Sequence, residues 1–330
     1  MFSELDSVAT PTLWVVTLGG IAGLLAGDFV LTRKPHLVSM REAVRWSAFY
    51  IALPLAFTGY IWTSFGAGRG LDYLTGYLVE KSLSVDNLFV FMLLLGVFAV
   101  PEQLQQRVLL YGIVGALLLR AVFIGLGAAA LSRFDWTFLV FGLILLLSAV
   151  RILRDSARGR GHEVEVDRLR SVRLVRRVVP VTAGYHGPAM WVRAEGGHAA
   201  TPFALVVVAV LCADVVFAVD SVPAVYGITG DPYLVFVTNA FALLGLRALY
   251  FVLHGALQRL VYLDYGLALV LAFIGVKLAL HWGHLTWPSV PAIPTLVSLA
   301  VILGVLAVTT VASLGSQTRS LEHREMQDDP

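Results

Sequence analysis

A pair of acidic residues with one spacing occurs twice in this sequence, each time inside an apolar segment. In both runs an acid is followed, after five residues, by an aspartate and then a small polar residue; the runs are Glu80-Lys-Ser-Leu-Ser-Val-Asp86-Asn87 and Asp214-Val-Val-Phe-Ala-Val-Asp220-Ser221. Carboxylate, amide and hydroxyl oxygens are the ligands that hard divalent cations such as Mn²⁺, Mg²⁺ and Ca²⁺ prefer. The two runs, with Asn239 as a further amide ligand, therefore predict a site for such a cation.

Charged side chains are costly inside a membrane. An acidic residue at the centre of a spanning helix costs about 2.5–3.5 kcal/mol on insertion scales, so four of them cost on the order of 10 kcal/mol. Pairing with arginine, protonation or a bound cation can offset this cost. We expect Arg120 and Arg247 to pair with these acids or to cap the empty site.

The spacing of the acids limits how they can be arranged. Six positions along a helix place two side chains about 120° apart around it and about 9 Å apart along it. Pro223 favours an interruption of the second helix after Asp220, whereas the first run fits two levels of acids. Asp86 and Asp220 are then expected to form a central pair, with Glu80 on the outer side and Asp214 on the inner side.

The composition predicts a membrane protein. Of 330 residues, 58% are hydrophobic and 14% are charged, whereas about 25% charged residues are usual in soluble domains. This balance excludes a soluble globule, a disordered chain and a nucleic-acid binder, and the formal charge of +2 indicates no partner by itself. The single cysteine, Cys212, excludes an internal disulfide and a thiolate metal site.

The predicted fold is an all-α polytopic membrane protein with about nine transmembrane helices. Apolar runs long enough to cross a bilayer lie at about 13–31, 43–64, 73–99, 107–131, 136–153, 202–228, 233–254, 263–282 and 292–314. Lys and Arg residues concentrate in alternate connections, which predicts an outside N-terminus and a cytoplasmic C-terminus. The longest basic connection, 154–201, is expected to be a cytoplasmic loop that contacts anionic lipid head groups.

Helices three to five and six to eight follow one pattern of charged residues. After the acid pairs, the first copy continues with Arg120, Asp135 and Arg151, and the second with Arg247, Asp264 and Lys277. Because the predicted topology makes the copies antiparallel, the pattern predicts a 3+3 inverted repeat of the kind found in many secondary transporters. The predicted organisation is two N-terminal helices (1–70), a first repeat (71–153), the Arg-rich loop (154–201), a second repeat (202–282) and a C-terminal helix with its tail (283–330).

The acidic runs, together with the segment from Asp231 through Asn239 and Arg247 to Phe251, strongly resemble the TerC family of integral membrane proteins. The resemblance covers about residues 25–280, and within the family the sequence looks like the Alx-type branch. It implies manganese export and metal homeostasis across the bacterial inner membrane, in a family named for tellurium resistance. Family members often carry a glutamate three residues before the first acid of the second run, where this sequence has Leu211.

We therefore expect an inner-membrane exporter of a divalent cation, Mn²⁺ by resemblance, with Ca²⁺ and Mg²⁺ as alternatives. Proton exchange is expected to drive it, because metal binding to carboxylates displaces protons. The sequence predicts neither an enzyme nor an organic cofactor. Two other functions stay open: an accessory protein that organises partner membrane proteins through its Arg-rich loop, and an intramembrane aspartyl enzyme. The aspartyl enzyme is disfavoured because neither Asp86 nor Asp220 lies in a Gly-x-Gly-Asp context.

Overall fold

The computed structural model of the chain describes residues 7–31, 39–158, 181–182, 184–194, 197–253, 262–287 and 289–325. The side chain of Asp86 lies outside this description. The helices are α1 (Pro11–Leu31), α2 (Met40–Phe65), α3 (Ala67–Val97), α4 (Glu102–Arg133), α5 (Thr137–Ala157), α6 (Pro202–Tyr226), α7 (Pro232–Leu244), α8 (Leu246–Leu253), α9 (Leu263–Thr286) and α10 (Thr295–Glu325). Two short strands, β1 (Trp191–Ala194) and β2 (Gly197–Ala200), precede α6.

The all-α polytopic fold is confirmed. Within the described residues, eight helical stretches are long and apolar enough to cross a membrane, with α7 and α8 together forming one of them, Pro232–Val252. Helix α3 is not among the eight because it carries Glu80, Lys81 and Asp86 close together. Its 31 residues nevertheless correspond to a length of about 46 Å at 1.5 Å per residue.

The outward faces of the helices are apolar. Leu118 on α4 is 67% exposed and Val311 on α10 is 69% exposed. Large exposed patches of such apolar side chains are unfavourable in water. The charged side chains Glu80, Arg120 and Asp214 lie between the helices, in the buried interior of the bundle. The bundle therefore presents apolar side chains to lipid and keeps its charges inside.

Glycines bring helix backbones close together around these charges. A Cβ atom on Gly142 of α5 would lie 2.8 Å from the carbonyl oxygen of Gly275 on α9. On α4, a Cβ on Gly115 would lie 2.3 Å from a methyl group of Leu211 on α6. Leu211 therefore fills the space beside Gly115 and has a packing role here.

One helix is interrupted, at a different place from the one predicted. Helix α6 continues through Pro223 and ends at Tyr226, so the predicted interruption after Asp220 is wrong. Pro223 lies inside the helix and removes the hydrogen bond to the carbonyl of Val219, without ending the helix there. The break occurs instead at Gly245, between α7 and α8, within the segment predicted as one helix. A side chain on Gly245 would meet the Lys81 ammonium at 2.9 Å.

The connection into α6 contains a small hairpin that the sequence analysis did not predict. Strands β1 and β2 pair in antiparallel register, with Trp191 opposite Ala200. Thr201 then caps α6, accepting a hydrogen bond from the Ala204 N–H. The predicted Arg-rich loop falls largely on residues 159–180, which lie outside the described residues.

Candidate cation site in the helix bundle

The centre of the site is the guanidinium of Arg120 on α4. Its Nε donates to Asp214 Oδ2 at 3.4 Å and its Nη2 to Asp214 Oδ1 at 3.1 Å. Its Nη1 donates to Glu80 Oε1 and, at 2.6 Å, to Asn239 Oδ1. Four helices, α3, α4, α6 and α7, therefore meet through one side chain.

The two acids of this cluster are fully removed from solvent. Glu80 is 0% exposed, Asp214 1% and Arg120 0%. When both acids are ionised, two carboxylates and one guanidinium leave a net charge of −1. In a low-dielectric interior such a charge requires a cation or a proton for compensation.

Asn239 contributes an oriented amide oxygen. Its Nδ2 donates to the Val235 carbonyl of its own helix at 2.9 Å. This bond directs Oδ1 towards Arg120, where it accepts at 2.6 Å. The amide therefore supplies an oxygen to the cluster, and its predicted role as a metal ligand stays a prediction.

Several buried polar atoms of α3 and α6 make no hydrogen bond that satisfies the distance and angle criteria of a normal one. Within the described part of the chain, these buried atoms include Glu80 Oε2, Ser84 Oγ, Asn87 Nδ2 and Ser221 Oγ. The Ser221 hydroxyl lies beside the Glu80 carboxylate. Buried polar groups are normally satisfied, so the buried oxygens of Glu80, Ser84 and Ser221 are available to a ligand. Asn87 Nδ2, in contrast, is a donor and does not bind a cation. Asn87 and Ser221 were predicted as oxygen ligands, and Ser84 was not.

The predicted arrangement of the four acids differs from the observed one. Glu80 and Asp214 bind the same guanidinium, so they do not occupy opposite sides of a central Asp86–Asp220 pair. In the predicted inverted topology, α3 and α6 run in opposite directions. Asp86 and Asp220 then lie on opposite sides of the Glu80–Asp214 pair, each about 9 Å along its helix. Asp220 is half-buried on α6, and the side chain of Asp86 lies outside the described side chains.

Arg247 has a partner that the sequence analysis missed. Its Nη2 lies 2.8 Å from Asp28 Oδ1, and Tyr50 lies beside the same carboxylate. Arg247 was expected to pair with one of the four acids or to cap their site. Asp28 is the lone charged residue of the apolar helix α1, and this signal could have identified it. Arg120 and Arg247 therefore hold different parts of the bundle together.

Lys81 lies beside the break between α7 and α8. Its Nζ is 3.5 Å from the carbonyl oxygen of Ala242, near the C-terminal end of α7, where helix carbonyls favour a cation. Glu80 and Lys81 are adjacent in sequence and contact different helices. Helix α3 thus connects the Arg120 cluster to the interrupted helix.

The ligand chemistry of the cluster is oxygen only. Among the described residues, no group of three or more His, Cys, Asp and Glu side chains is arranged to hold a metal ion. The cluster supplies two carboxylates and the Asn239 amide oxygen, with the Ser221 hydroxyl beside Glu80. A cation bound here would have hard ligands, part of them neutral.

A bundle of apolar helices around buried, mutually paired charges defines a multi-pass integral membrane protein. The family described as "Integral membrane protein TerC family" matches residues 65–321, and the chain belongs to this family. The relatives named Alx, reported next, are consistent with the Alx-type branch.

The chain has relatives at about 40% identity over most of its length. It is 41% identical to "Uncharacterized membrane protein STKORF319" of Myxococcus xanthus over 275 residues, 83% of this chain and 85% of the relative. It is 40% identical to "Putative membrane-bound redox modulator Alx" of Escherichia coli (strain K12) over 284 residues, 83% of this chain and 87% of the relative. It is 41% identical to "Uncharacterized membrane protein Rv2723" of Mycobacterium tuberculosis over 273 residues, 82% of this chain and 69% of the relative. No solved structure matches the chain.

Proposed function

We propose that this protein exports a divalent metal cation, with Mn²⁺ as its substrate, across the bacterial inner membrane in exchange for protons. The observation that carries the proposal is the buried pair Glu80–Asp214, whose negative charge a single arginine does not balance. A transported divalent cation matches the charge of the two ionised carboxylates when it takes the place of the arginine. The N-terminus is then outside and the C-terminus cytoplasmic.

The ligand set supports a hard cation. Carboxylate, amide and hydroxyl oxygens select Mg²⁺, Ca²⁺ and Mn²⁺, whereas Cu and Zn favour thiolate and imidazole. Neither a thiolate nor an imidazole is among the groups that contact Arg120. Mn²⁺ is chosen within this class because of the resemblance to TerC proteins.

The helices that supply the acids support alternating access. Glu80 comes from the first helix of the first predicted repeat and Asp214 from the first helix of the second. In transporters with inverted repeats, substrate sites lie near the bilayer midplane where the repeats meet. Movement of one repeat against the other would expose this site to each side in turn. Proton exchange supports the cycle because carboxylates that release a metal can take up protons.

The decisive experiment measures Mn²⁺ flux in proteoliposomes that contain the purified protein, with and without an imposed pH difference. We expect flux that depends on the pH difference and falls to background in Glu80→Gln and Asp214→Asn. The matched control is Asp135→Asn, because Asp135 is an exposed acid at the junction of α4 and α5. Parallel assays with Ca²⁺ and Mg²⁺ determine selectivity.

Two results would contradict the proposal. One is the absence of divalent-cation flux in folded wild-type protein. The other is full flux in both carboxylate variants, since transport would then use a different site.

A further inference from the structure

We infer that Arg120 is a built-in counter-cation that takes the place of the metal ion when none is bound, and so permits the metal-free carrier to return across the membrane. This inference rests on the proposed function and specifies how the same site is regulated.

The guanidinium occupies the oxygens that a metal ion would use. Three nitrogens of Arg120 contact both oxygens of Asp214, one oxygen of Glu80 and the amide oxygen of Asn239. A hard divalent cation must approach such oxygens to about 2.0–2.6 Å and replace their hydrogen bonds. The metal ion and the guanidinium therefore compete for the same ligands.

One carboxylate oxygen is left for the incoming cation. Glu80 Oε2 is buried and has no hydrogen-bond partner among the described residues. The Ser221 hydroxyl lies beside the Glu80 carboxylate and is a neutral oxygen within the same site. A cation that first binds Oε2 gains oxygen ligands and weakens the hold of Arg120 on Glu80. Exchange of the guanidinium for the metal can thus proceed stepwise.

Charge explains why the exchange matters for transport. As long as at least one acid is ionised, the metal-free site carries one negative charge fewer with Arg120 in place than without it, for example −1 instead of −2 when both acids are ionised. The cost of burying a charge grows with its square in the Born treatment, so the second state is far less favourable in a low-dielectric interior. The arginine therefore lowers the cost of reorienting the protein without a metal ion.

Arg247 does not have this role, although it lies at the corresponding position of the second predicted repeat. It pairs with Asp28 of α1, outside both repeats, and its Nη1 has no hydrogen-bond partner in the described part of the chain. It makes none of the four hydrogen bonds that Arg120 makes. Arg247→Met is therefore a matched control that also removes a buried guanidinium.

The test separates two modes of transport in proteoliposomes. Net Mn²⁺ flux requires the empty carrier to return, whereas exchange of isotopic Mn²⁺ for unlabelled Mn²⁺ on the other side does not. We expect Arg120→Met to retain exchange while net flux falls by about tenfold or more, a factor equal to about 1.4 kcal/mol. Arg120→Lys keeps the positive charge without the bidentate geometry and should restore part of the net flux. Arg247→Met should change exchange and net flux by the same factor.

Equilibrium binding provides a second measurement that does not depend on transport. Because Arg120 competes with the metal, Arg120→Met should bind Mn²⁺ about tenfold more tightly or better, measured by the Mn²⁺ paramagnetic resonance signal in detergent. A purely structural arginine would leave this affinity unchanged or lower it. Arg120→Lys gives the same test, with a smaller gain expected, if Arg120→Met does not fold.

The inference is overturned if a folded Arg120 variant loses exchange and net flux equally, or binds Mn²⁺ no more tightly than the wild type. A wild-type protein without any Mn²⁺ flux contradicts the proposed function itself. The two failures are therefore distinguishable.

Discussion

Glu80 of α3 and Asp214 of α6 are hydrogen-bonded to one and the same guanidinium, that of Arg120, although they lie far apart in the sequence. At most 1% of the surface of either acid is exposed to solvent. The site thus depends on the mutual position of three long helices. The predictions below test the contacts that fix these helices and the topology that the proposed function requires.

The buried pair Arg247–Asp28 should contribute strongly to stability. Removing one partner of a buried ion pair costs about 3–5 kcal/mol, because the other charge is left without compensation. We expect Asp28→Asn to lower the unfolding free energy by an amount in this range, measured by denaturant unfolding in detergent. The double variant Asp28→Leu with Arg247→Met should cost less than the sum of the single changes.

The control for this pair is an exposed one. Arg151 and Asp155 lie 3.8 Å apart with side chains 79% and 47% exposed. Arg151→Gln should therefore change stability by about 1 kcal/mol or less. Equal effects of Asp28→Asn and Arg151→Gln would contradict the importance assigned to the buried pair.

The close approach of α5 and α9 should not tolerate a methyl group. A Cβ on Gly142 would lie 2.8 Å from the backbone oxygen of Gly275, and backbone cannot move aside as a side-chain tip can. We expect Gly142→Ala to destabilise the protein by about 1–3 kcal/mol, as overpacking does. The midpoint of thermal unfolding measures this change.

Gly125 on α4 is the matched control, because no atom lies within 4 Å of a Cβ added there. Gly125→Ala should leave stability unchanged or raise it by up to about 1 kcal/mol, because alanine favours helix. If Gly142→Ala proved as stable as Gly125→Ala, the packing of α5 on α9 would be looser than described.

Tyr185 should stabilise the contact between the segment before α6 and the C-terminal end of α3. Its hydroxyl donates to the carbonyl oxygen of Phe98 at 2.8 Å. Tyr185→Phe removes this bond and should cost about 0.5–1.5 kcal/mol in unfolding free energy. Denaturant unfolding of the wild type and of Tyr185→Phe, repeated over a range of pH, measures this difference in unfolding free energy.

The pH dependence of this bond has a definite direction. Burial raises the pKa of Tyr185 from 10.0 to about 12. The contribution of the protonated hydroxyl to the free energy of unfolding is therefore fully present below pH 10 and is lost as the pH rises through about 12. The stability difference between wild type and Tyr185→Phe should therefore be constant from pH 7 to pH 10 and decrease above it. A difference that disappears near pH 8 would contradict this assignment.

The proposed orientation can be tested with single cysteines in a Cys212→Ser background. Asp135 and Arg158 lie at opposite ends of α5 and are both exposed. A membrane-impermeant maleimide added to spheroplasts should label Asp135→Cys at once. It should label Arg158→Cys only after the membrane is permeabilised. The reverse pattern would invert the topology and make the proposed direction of transport wrong.

Much of the fold follows from the pattern of apolar residues. Helices such as α4 and α9 begin and end within a few residues of the predicted limits, because long apolar runs bounded by charged residues permit few other structures in a membrane. The break at Gly245 was not predicted. The ammonium of Lys81, from another helix, lies beside it, and residues within α7 and α8 do not reveal that contact.

The sequence by itself determined that acids and arginines lie inside apolar helices and must pair, since an isolated buried charge is too costly. It therefore predicted Glu80, Asp214, Asn239 and Arg120 as members of one site. Only the tertiary structure decided which acids meet: Glu80 faces Asp214 across Arg120, and Arg247 takes Asp28. The physical reason is that spacing along a chain fixes the angle and height of a side chain on its own helix. The relative rotation and depth of two helices depend on contacts such as Gly142 against Gly275 and Leu211 against Gly115.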